Sequence, residues 1–223
     1  MQNDYTEKSE FYFSHLRSDI LDEMSKKFSD TQFKGMRFLE IGCGGATTGK
    51  VIKDKYQLNE YIGIEYVNSA AQEANKNIDY CYSGKAEDIL DTQLKGEKFD
   101  AVLFMDVLEH LYDPWSIVSQ AIDKLNDGGF VIASIPNVAY YEVIYRIIFD
   151  KFEYNPNGGI MDSTHIRWFS KHTIKQLFKN INILSITNKH VNFNRKWINF
   201  LLKLTSPITK RYFTIQYIVI AQK

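Results

Sequence analysis

The feature that most constrains this chain is a short apolar segment that runs directly into a cluster of glycines. Residues 37–49 have the sequence RFLEIGCGGATTG, in which residues 38–41 predict a buried strand. Gly42, Gly44 and Gly45 carry no side chain that would obstruct the backbone. A ligand can therefore approach this turn closely, so the sequence indicates a binding site at the end of the strand.

A helix and a second strand follow, in an order that is typical of a βαβ unit. Thr47 or Thr48 is expected to cap the helix, whose first amide groups would then point toward a ligand. Residues 61–65 predict the second strand, and Glu65 closes it about twenty residues after the glycines. A carboxylate at that place in a βαβ unit binds ribose hydroxyls, which favours a nucleoside-containing ligand.

The composition favours one globular domain over residues 1–223. A chain of 223 residues with 44% hydrophobic content can bury one good core. Cys43 and Cys81 are too few for a disulfide scaffold, and no stretch has the character of a signal peptide or a membrane span. We therefore expect a cytoplasmic protein. Its expected parts are an N-terminal helix (1–35), a cofactor-binding core (36–135), a lid and acceptor segment (136–169), and a C-terminal helix with a strand pair (170–223).

Strands and helices alternate through the first two thirds of the chain. Further strands are predicted at 78–82, 99–105 and 130–135, and helices at 11–28, 48–55, 68–77 and 114–125. This alternation favours an α/β fold with a parallel sheet covered on both faces. Ligands of such sheets bind at the carboxyl ends of the strands, where Glu40, Glu65, Glu87 and Asp106 all fall.

The alternation breaks after the fifth strand. Residues 137–149 predict an aromatic helix, which we interpret with the turn-rich residues 150–159 as a lid over the ligand site. A helix at 170–178, with Ser170 as its cap, and an antiparallel pair of strands at 183–190 and 214–221 complete the chain. Between these strands a basic amphipathic helix is predicted, with an apolar face made of Trp197, Phe200, Leu201 and Leu204.

The charges are distributed unevenly along the chain. From residue 163 to residue 223 there are eleven basic residues and no Asp or Glu, although the whole chain has a net charge of zero. One interpretation is that the two parts pack together and neutralise each other. The alternatives are an anionic acceptor, such as a sugar phosphate or nucleotide-linked group, or peripheral contact of the basic helix with an anionic membrane surface.

Several motifs together resemble the class I S-adenosylmethionine-dependent methyltransferases. They are Glu40 with Gly42 and Gly44, then Glu65, then Ala86-Glu87-Asp88, and the segment VLEHLYDP at 107–114. Where the family's usual pattern has one more glycine, this chain has Ala46. The resemblance covers residues 37 to about 180. It implies a Rossmann-like, doubly wound, mostly parallel sheet of seven strands with an antiparallel last strand.

The resemblance also implies S-adenosylmethionine as the cofactor and assigns its contacts. Glu40, Gly42 and Gly44 would flank the methionine part, Glu65 would bind the ribose, Ala86 and Glu87 would lie near the adenine, and Met105 and Asp106 would lie beside the sulfonium. The full set of expected cofactor-binding residues is Glu40, Gly42, Cys43, Gly44, Glu65, Tyr66, Ala86, Glu87, Met105 and Asp106.

A second block is similar to a narrower group, the bacterial methyltransferases of capsule and O-antigen biosynthesis. This block is MDSTHIRWFS at residues 161–170, preceded by the Ile-Pro-Asn sequence that ends at Asn137. The resemblance implies O-methylation of a hydroxyl on a small anionic sugar, or on a nucleotide- or lipid-linked precursor, in surface polysaccharide biosynthesis. The expected substrate-binding residues are Asn137, Tyr140, Tyr141, Asp162 and Arg167.

Methyl transfer to an alcohol needs alignment and a base that takes the hydroxyl proton. Histidine is the natural base near neutral pH, and His165 is the first candidate because it lies in the block that returns from the lid. Its alternative role is to fasten the lid. His110 is the second candidate, and its alternative role is to cap the following helix. We expect no required metal, because no cluster has metal-ligand spacing along the sequence.

Three other functions remain as alternatives. A nicotinamide-dependent oxidoreductase is the runner-up, although its G-x-G-x-x-G motif would need a glycine in place of Thr47. A catalytically silent, methyltransferase-like partner subunit is another alternative. Nucleic acid is disfavoured as a substrate, because amino methylation of bases would require an Asn/Asp-Pro-Pro-aromatic motif where the chain has Asp106-Val-Leu-Glu. Among nucleic-acid reactions, RNA ribose methylation remains as a weak alternative. The acceptor and the oligomeric state stay open.

Overall fold

The computed structural model describes residues 13–190 and 210–223. The strands are β1 (Arg37–Ile41), β2 (Glu60–Glu65), β3 (Tyr80–Ser83), β4 (Phe99–Met105), β5 (Leu125–Pro136), β6 (Asn182–His190) and β7 (Thr214–Gln222). The helices are α1 (Ser18–Lys27), α2 (Thr47–Tyr56), α3 (Asn68–Ala74), α4 (Ala86–Asp91), α5 (Pro114–Asp123), α6 (Tyr141–Ile148) and α7 (Lys171–Leu177), with a 3-10 turn at Arg211–Phe213.

The strands form one seven-stranded sheet in the order β3-β2-β1-β4-β5-β7-β6. Strands β1 to β5 pair in parallel, and β7 runs antiparallel to both β5 and β6. The predicted fold class is therefore confirmed, including the reversed last strand and the insertion after the fifth strand. The strand order changes direction between β1 and β4, and in open sheets of this kind the ligand crevice lies at that switch point.

Apolar side chains cover both faces of the sheet. Helices α4, α5 and α7 pack on one face, and α1, α2 and α3 pack on the other. On the second face Phe33 is fully buried, and its ring makes edge contacts at 4.7–5.7 Å with the rings of Phe28, Phe38, Tyr56 and Phe130. Aromatic pairs in this geometry stabilise a core beyond their buried area. This cluster anchors α1 to the middle of the sheet.

The prediction of one continuous first helix over residues 11–28 is wrong. Helix α1 begins only at Ser18, and residues 15–17 before it are not helical. The carbonyl of Phe13 accepts a hydrogen bond from the Gly45 amide at 2.7 Å, and the Arg17 amide donates to Thr48 Oγ1 at 2.9 Å. These contacts hold residues 13–17 across the glycine turn (residues 42–46) and compete with helical hydrogen bonds.

The prediction that Thr47 or Thr48 caps the helix is also wrong. Ala46 occupies the capping position, with the left-handed φ of 54°, and no side chain caps α2. Thr48 instead accepts the hydrogen bond from Arg17. Ala46 thus adopts the conformation in which the resembled family uses glycine, and an alanine there is strained.

Other boundaries differ in detail. Strand β5 begins at Leu125 and not at the predicted residue 130. Residues 126–129 are accommodated as an irregularity between the pairs Phe99–Leu125 and Ala101–Phe130. The predicted cap Ser170 is confirmed by its hydrogen bond from the Thr173 amide. The predicted basic amphipathic helix at 196–204 lies outside the described residues. Within the residues that the structure describes, no helix is long and apolar enough to cross a membrane.

One carboxyl group is buried in the core just below the glycine turn. Glu40 is 2% exposed, and its Oε2 accepts a hydrogen bond from the Tyr61 hydroxyl at 2.7 Å. Burial raises the pKa of Glu40 to about 8, against the partial opposition of the Tyr61 hydrogen bond. Glu40 is therefore mostly protonated in the folded chain at neutral pH.

We expect Gly42→Ala to destabilise the fold more than Gly35→Ala does. Both glycines have nearly the same positive φ, 75° and 76°, so alanine is strained at each. A Cβ on Gly42 would lie 2.4 Å from Val107 Cγ2 and 2.7 Å from Val107 Cβ, whereas nothing lies within 4 Å at Gly35. The extra loss at Gly42 should be about 1–3 kcal/mol in denaturant unfolding. Equal losses for the two variants would contradict this account of the turn.

The raised pKa of Glu40 predicts a pH dependence of stability. Between about pH 4.5, the usual pKa, and about pH 8 the folded chain keeps a proton that the unfolded chain releases, so the free energy of unfolding falls as pH rises through this window. Glu40→Gln removes this contribution. In urea unfolding, the free energy of unfolding of the variant, taken relative to wild type, should rise by at least about 1 kcal/mol from the acidic to the basic end of the window. The exposed control Glu153→Gln should give a profile parallel to wild type, and a parallel profile for Glu40→Gln would refute the prediction.

Candidate active site

A cleft of about 1260 Å³ opens at the carboxyl ends of the parallel strands. The glycine turn and the carboxyl ends of β2 and β4 line it. All the residues that the sequence assigned to cofactor binding lie in its wall: Glu40, Gly42, Cys43, Gly44, Glu65, Tyr66, Ala86, Glu87, Met105 and Asp106. Because neighbouring parallel strands end at one edge of the sheet, residues far apart in sequence meet here.

Glu65 joins the end of β2 to the glycine turn. Its Oε2 accepts a hydrogen bond from the Gly44 amide at 2.9 Å, and its Oε1 accepts one from the Val67 amide at 2.8 Å. Burial raises the pKa of Glu65, and the backbone donors oppose that shift. Each carboxylate oxygen has a second lone pair, so Glu65 can also accept hydrogen bonds from the hydroxyls of a ligand in the cleft.

Arg17 is a cleft residue that the sequence analysis did not single out. Its guanidinium makes two hydrogen bonds of 2.9 Å with Asp19, and it also bonds Asp106, Ser134 at 3.0 Å and Gln216 at 3.1 Å. Burial works against the charge on Arg17, yet the carboxylates of Asp106 and Asp19 outweigh it and raise the pKa of Arg17. The same contact lowers the pKa of Asp19, against the effect of its own burial.

The sequence did contain a signal for Arg17. It lies four residues after Phe13 and three before Ile20, so the helical pattern placed a charged residue on the apolar face. A buried arginine on such a face needs acidic partners, which are Asp19 and Asp106 here. The partner across the sheet could not be found from sequence, because Asp106 is 89 residues away.

Asp106 leaves β4 in a strained conformation. Its φ is 56°, in the left-handed region, and its amide donates to Ser134 Oγ at 3.2 Å. Its side chain accepts hydrogen bonds from Arg17, Ser134 and Gln216. Residues that the surrounding structure holds in a strained backbone conformation are typical of functional sites.

Two histidines meet at the outer end of the cleft. The ring centroids of His110 and His165 are 4.7 Å apart, and both residues line the cleft. Burial and the neighbouring His165 lower the pKa of His110 to about 4, so its ring is neutral at physiological pH. The predicted alternative that His110 caps the next helix is wrong, because Asp113 accepts the hydrogen bond from the Ser116 amide and caps α5.

The third member of this group, Glu109, was not among the predicted site residues. Its side chain is 1% exposed, and its Oε1 lies 3.8 Å from His165 Nε2. Burial, together with the charge of Asp106, raises the pKa of Glu109 well above its usual value. We call Glu109, His110 and His165 the Glu–His–His cluster, and its ligand-type atoms all lie within 4.8 Å of one another.

The predicted substrate residues separate into two groups. Asp162 lies in the cleft wall and is 1% exposed, with its Oδ1 accepting from the amide and hydroxyl of Thr164. Asn137, Tyr140, Tyr141 and Arg167 lie outside the cleft wall. Within the insertion, residues 157–160 reach the cleft, whereas α6 packs on a small cluster of its own around Tyr140, Val143 and Met161.

Asn137 and Arg167 support the insertion through the backbone. The Asn137 amide group donates to the carbonyls of Arg211 and Thr214, which ties the end of β5 to the start of β7. Arg167 donates to the Tyr112 carbonyl at 2.6 Å, and its guanidinium lies over the rings of Tyr112 and Trp115. The two residues stay candidates for substrate contact only if the insertion moves.

The cleft fits a nucleoside-containing cofactor. The close approach that glycine permits and the Glu65 carboxylate provide the room and the hydroxyl acceptor that such a molecule needs. Tyr66, which is 41% exposed, adds an aromatic wall beside Glu65.

Comparison with known proteins identifies the family. Residues 12–183 match the family model described as Methyltransferase domain. The ubiquinone biosynthesis O-methyltransferase of Ruegeria sp. (strain TM1040) is 32% identical over 132 residues, covering 55% of this chain and 51% of its own. That of Azorhizobium caulinodans is 35% identical over 109 residues, covering 47% and 42%. The chain thus spans about half the length of these curated relatives, which are named for ubiquinone biosynthesis rather than for surface glycans.

Solved structures agree in fold. An S-adenosylmethionine-dependent methyltransferase from Archaeoglobus fulgidus superposes with a TM-score of 0.67 at 16% identity, covering 99% of this chain and 100% of its own. The magnesium protoporphyrin IX methyltransferase of Synechocystis PCC 6803, solved with bound S-adenosylhomocysteine, gives 0.63 at 13% identity, covering 92% and 82%. The chain therefore belongs to the Methyltransferase domain family, and its fold is that of the S-adenosylmethionine-dependent methyltransferases.

Proposed function

We propose that this protein transfers the methyl group of S-adenosylmethionine to a hydroxyl group of a small acceptor. The observation that carries the proposal is the continuous cleft, which runs from the glycine turn and Glu65 to the buried Glu–His–His cluster. Its inner end has the groups for a cofactor, and its outer end has the groups that handle a proton. S-adenosylmethionine supplies a methyl group on a positively charged sulfur.

At the inner end the residues of this chain bind and align. Glu65 accepts from ribose hydroxyls while it keeps its bonds to the Gly44 and Val67 amides, so ligand binding does not release the turn. Arg17 uses its guanidinium N–H groups on Asp19, Asp106, Ser134 and Gln216, so its role is to hold Asp106 and the segment before α1 in place beside the cofactor. Rigid alignment of this kind can contribute up to roughly 7–11 kcal/mol to a displacement reaction.

At the outer end the cluster takes the proton of the acceptor. His110 and His165 each have Nδ1 within hydrogen-bond distance of a backbone carbonyl, Thr164 at 3.1 Å and Ile160 at 2.9 Å. A carbonyl only accepts, so in the neutral rings Nδ1 carries the hydrogen and Nε2 carries the lone pair. The lone pair of Nε2 on either ring can then act on a hydroxyl in the cleft.

For the acceptor, we favour a hydroxyl of a surface-glycan precursor, such as a nucleotide- or lipid-linked anionic sugar. The support is the polar wall beside the cluster, where Asn157 and Asp162 offer the hydrogen-bonding groups that a sugar needs, and the sequence block at 161–170. A ubiquinone precursor is the second candidate, because the curated relatives are named for that biosynthesis. Their similarity spans about half of their length, so the acceptor does not transfer from them directly.

Glu65→Ala should weaken the binding of S-adenosylhomocysteine at least tenfold, because a hydrogen bond to a charged group contributes about 1.5–3 kcal/mol. Calorimetric titration measures the affinity, and the melting temperature reports whether the loss of the Gly44 contact unfolds the turn. Asp127→Ala, an exposed acid at the other end of the sheet, is the control. Binding of NADH in place of S-adenosylhomocysteine would favour the oxidoreductase instead.

His165→Ala and His110→Ala should lower kcat by about 10²–10⁴-fold without changing the affinity for S-adenosylhomocysteine, because they remove the proton acceptor and leave the cofactor site intact. Methyl transfer to nucleotide-linked sugars and to ubiquinone precursors, measured by mass spectrometry, also decides between the two acceptor classes. The exposed His172→Ala is the control and should keep full activity. Cofactor binding without transfer to any acceptor would favour the silent partner subunit.

A further inference from the structure

The Glu–His–His cluster has the composition and shape of a metal site. It presents one carboxylate and two imidazoles, and its ligand-type atoms lie within 4.8 Å of one another. Three protein ligands of this type, two histidines and one glutamate, hold catalytic Zn²⁺ while a fourth position stays open. We propose that Glu109, His110 and His165 bind one divalent transition-metal ion, Zn²⁺ in the first instance, at the outer end of the cleft.

The orientation of both imidazoles supports this proposal. Metal-binding histidines usually donate the hydrogen of the second ring nitrogen to a carbonyl or carboxylate, which fixes the ring and its tautomer. Here Nδ1 of His110 is 3.1 Å from the Thr164 carbonyl, and Nδ1 of His165 is 2.9 Å from the Ile160 carbonyl. Both rings are therefore held in the tautomer that presents the Nε2 lone pair to a cation.

The buried carboxylate is an independent observation. Glu109 is 1% exposed, and in the described part of the chain no donor lies within hydrogen-bond distance of its Oε2 atom. A buried carboxylate oxygen without a donor is costly, and a bound cation would remove that cost. No arginine or lysine forms an ion pair with Glu109 among the described residues, whereas Asp106 has Arg17.

The three ligand-type atoms, which lie within 4.8 Å of one another, need to move closer together to hold the ion. Ligand atoms at about 2.0–2.2 Å from a tetrahedral Zn²⁺ are separated by about 3.4 Å. Glu109 Oε1 and His165 Nε2 are 3.8 Å apart, so this edge needs to shorten by only a few tenths of an ångström. Imidazole ligands select Zn²⁺ and similar ions over Mg²⁺, which prefers oxygen ligands.

This inference rests on the proposed O-methylation and changes one step of it: an Nε2 lone pair that binds a metal ion cannot also take the acceptor proton, so the histidines act as metal ligands instead of proton acceptors. All three residues line the cleft, so an ion that they hold would be accessible to an acceptor there. A hydroxyl oxygen bound there would lose its proton to solvent more readily, because a divalent cation lowers the pKa of a bound oxygen acid. The oxygen would then form its bond to the methyl carbon as the carbon–sulfur bond breaks, with the electron pair staying on sulfur. The proposal replaces the expectation, drawn from spacing along the sequence, that no metal is required.

The test is metal binding by the full chain after removal of bound ions with a chelator. Titration with Zn²⁺ alone should show one tight equivalent in wild type and in His172→Ala, and a loss of at least tenfold in affinity in His165→Ala, His110→Ala and Glu109→Gln. Replacement by Co²⁺ should give the visible absorption of a tetrahedral ion with nitrogen and oxygen ligands. Titration with S-adenosylhomocysteine reports whether each variant is folded.

The outcomes separate this inference from the proposed function. Unchanged Zn²⁺ affinity in the three variants, or a sulfur-to-metal charge-transfer band in the Co²⁺ spectrum, would place the ion elsewhere and overturn the inference. The second result would point to Cys43 and Cys81, whose sulfur atoms are 3.4 Å apart. Methyl transfer by the metal-free protein at the full rate would leave the proposed function intact and overturn the inference. If Zn²⁺ binds at the cluster but S-adenosylhomocysteine does not bind, the metal site is supported and the proposed function is contradicted.

Discussion

The ion pair between Arg17 and Asp106 is the interaction on which the cleft depends. Through it the segment before α1 is joined to the end of β4, and the added bonds to Ser134 and Gln216 extend the network to β5 and β7. Burial disfavours the guanidinium charge, and the carboxylates of Asp106 and Asp19 compensate for this cost. The Asp106 side chain is 40% exposed, so solvent screens part of this stabilisation. The segment that crosses the glycine turn is thus held electrostatically.

The outer end of the cleft is organised by the backbone instead. The Glu109 carbonyl accepts hydrogen bonds of 3.0 Å from the amides of Ile166 and Arg167, which clamps the returning block onto the segment after β4. The carbonyls of that block and of Ile160 then orient the two histidines. The cluster is consequently assembled by main-chain contacts, which bring His165 Nε2 within 3.8 Å of Glu109 Oε1.

Much of the cofactor site could be predicted from local sequence. The strand, the glycines and Glu65 form a pattern whose geometry is fixed over a few residues, because a parallel βαβ unit has little freedom. The outer site could be predicted only in part. His110 and His165 were candidates individually, but Glu109 was missed, and Asn137, Tyr140, Tyr141 and Arg167 lie outside the cleft wall. These positions depend on how the insertion folds back, and no periodic pattern encodes that.

The sequence by itself determined the alternation of strands and helices, the order that makes a doubly wound sheet, and the carboxylate at the end of β2. These features follow from hydrophobic periodicity and from glycine, which act over short stretches of chain. Only the tertiary structure decided that Arg17 bonds Asp106 and that Glu109 joins the two histidines. The Arg17–Asp106 contact joins residues 89 positions apart, and Glu109 and His165 are also far apart in sequence, so sequence spacing carries no information about these distances.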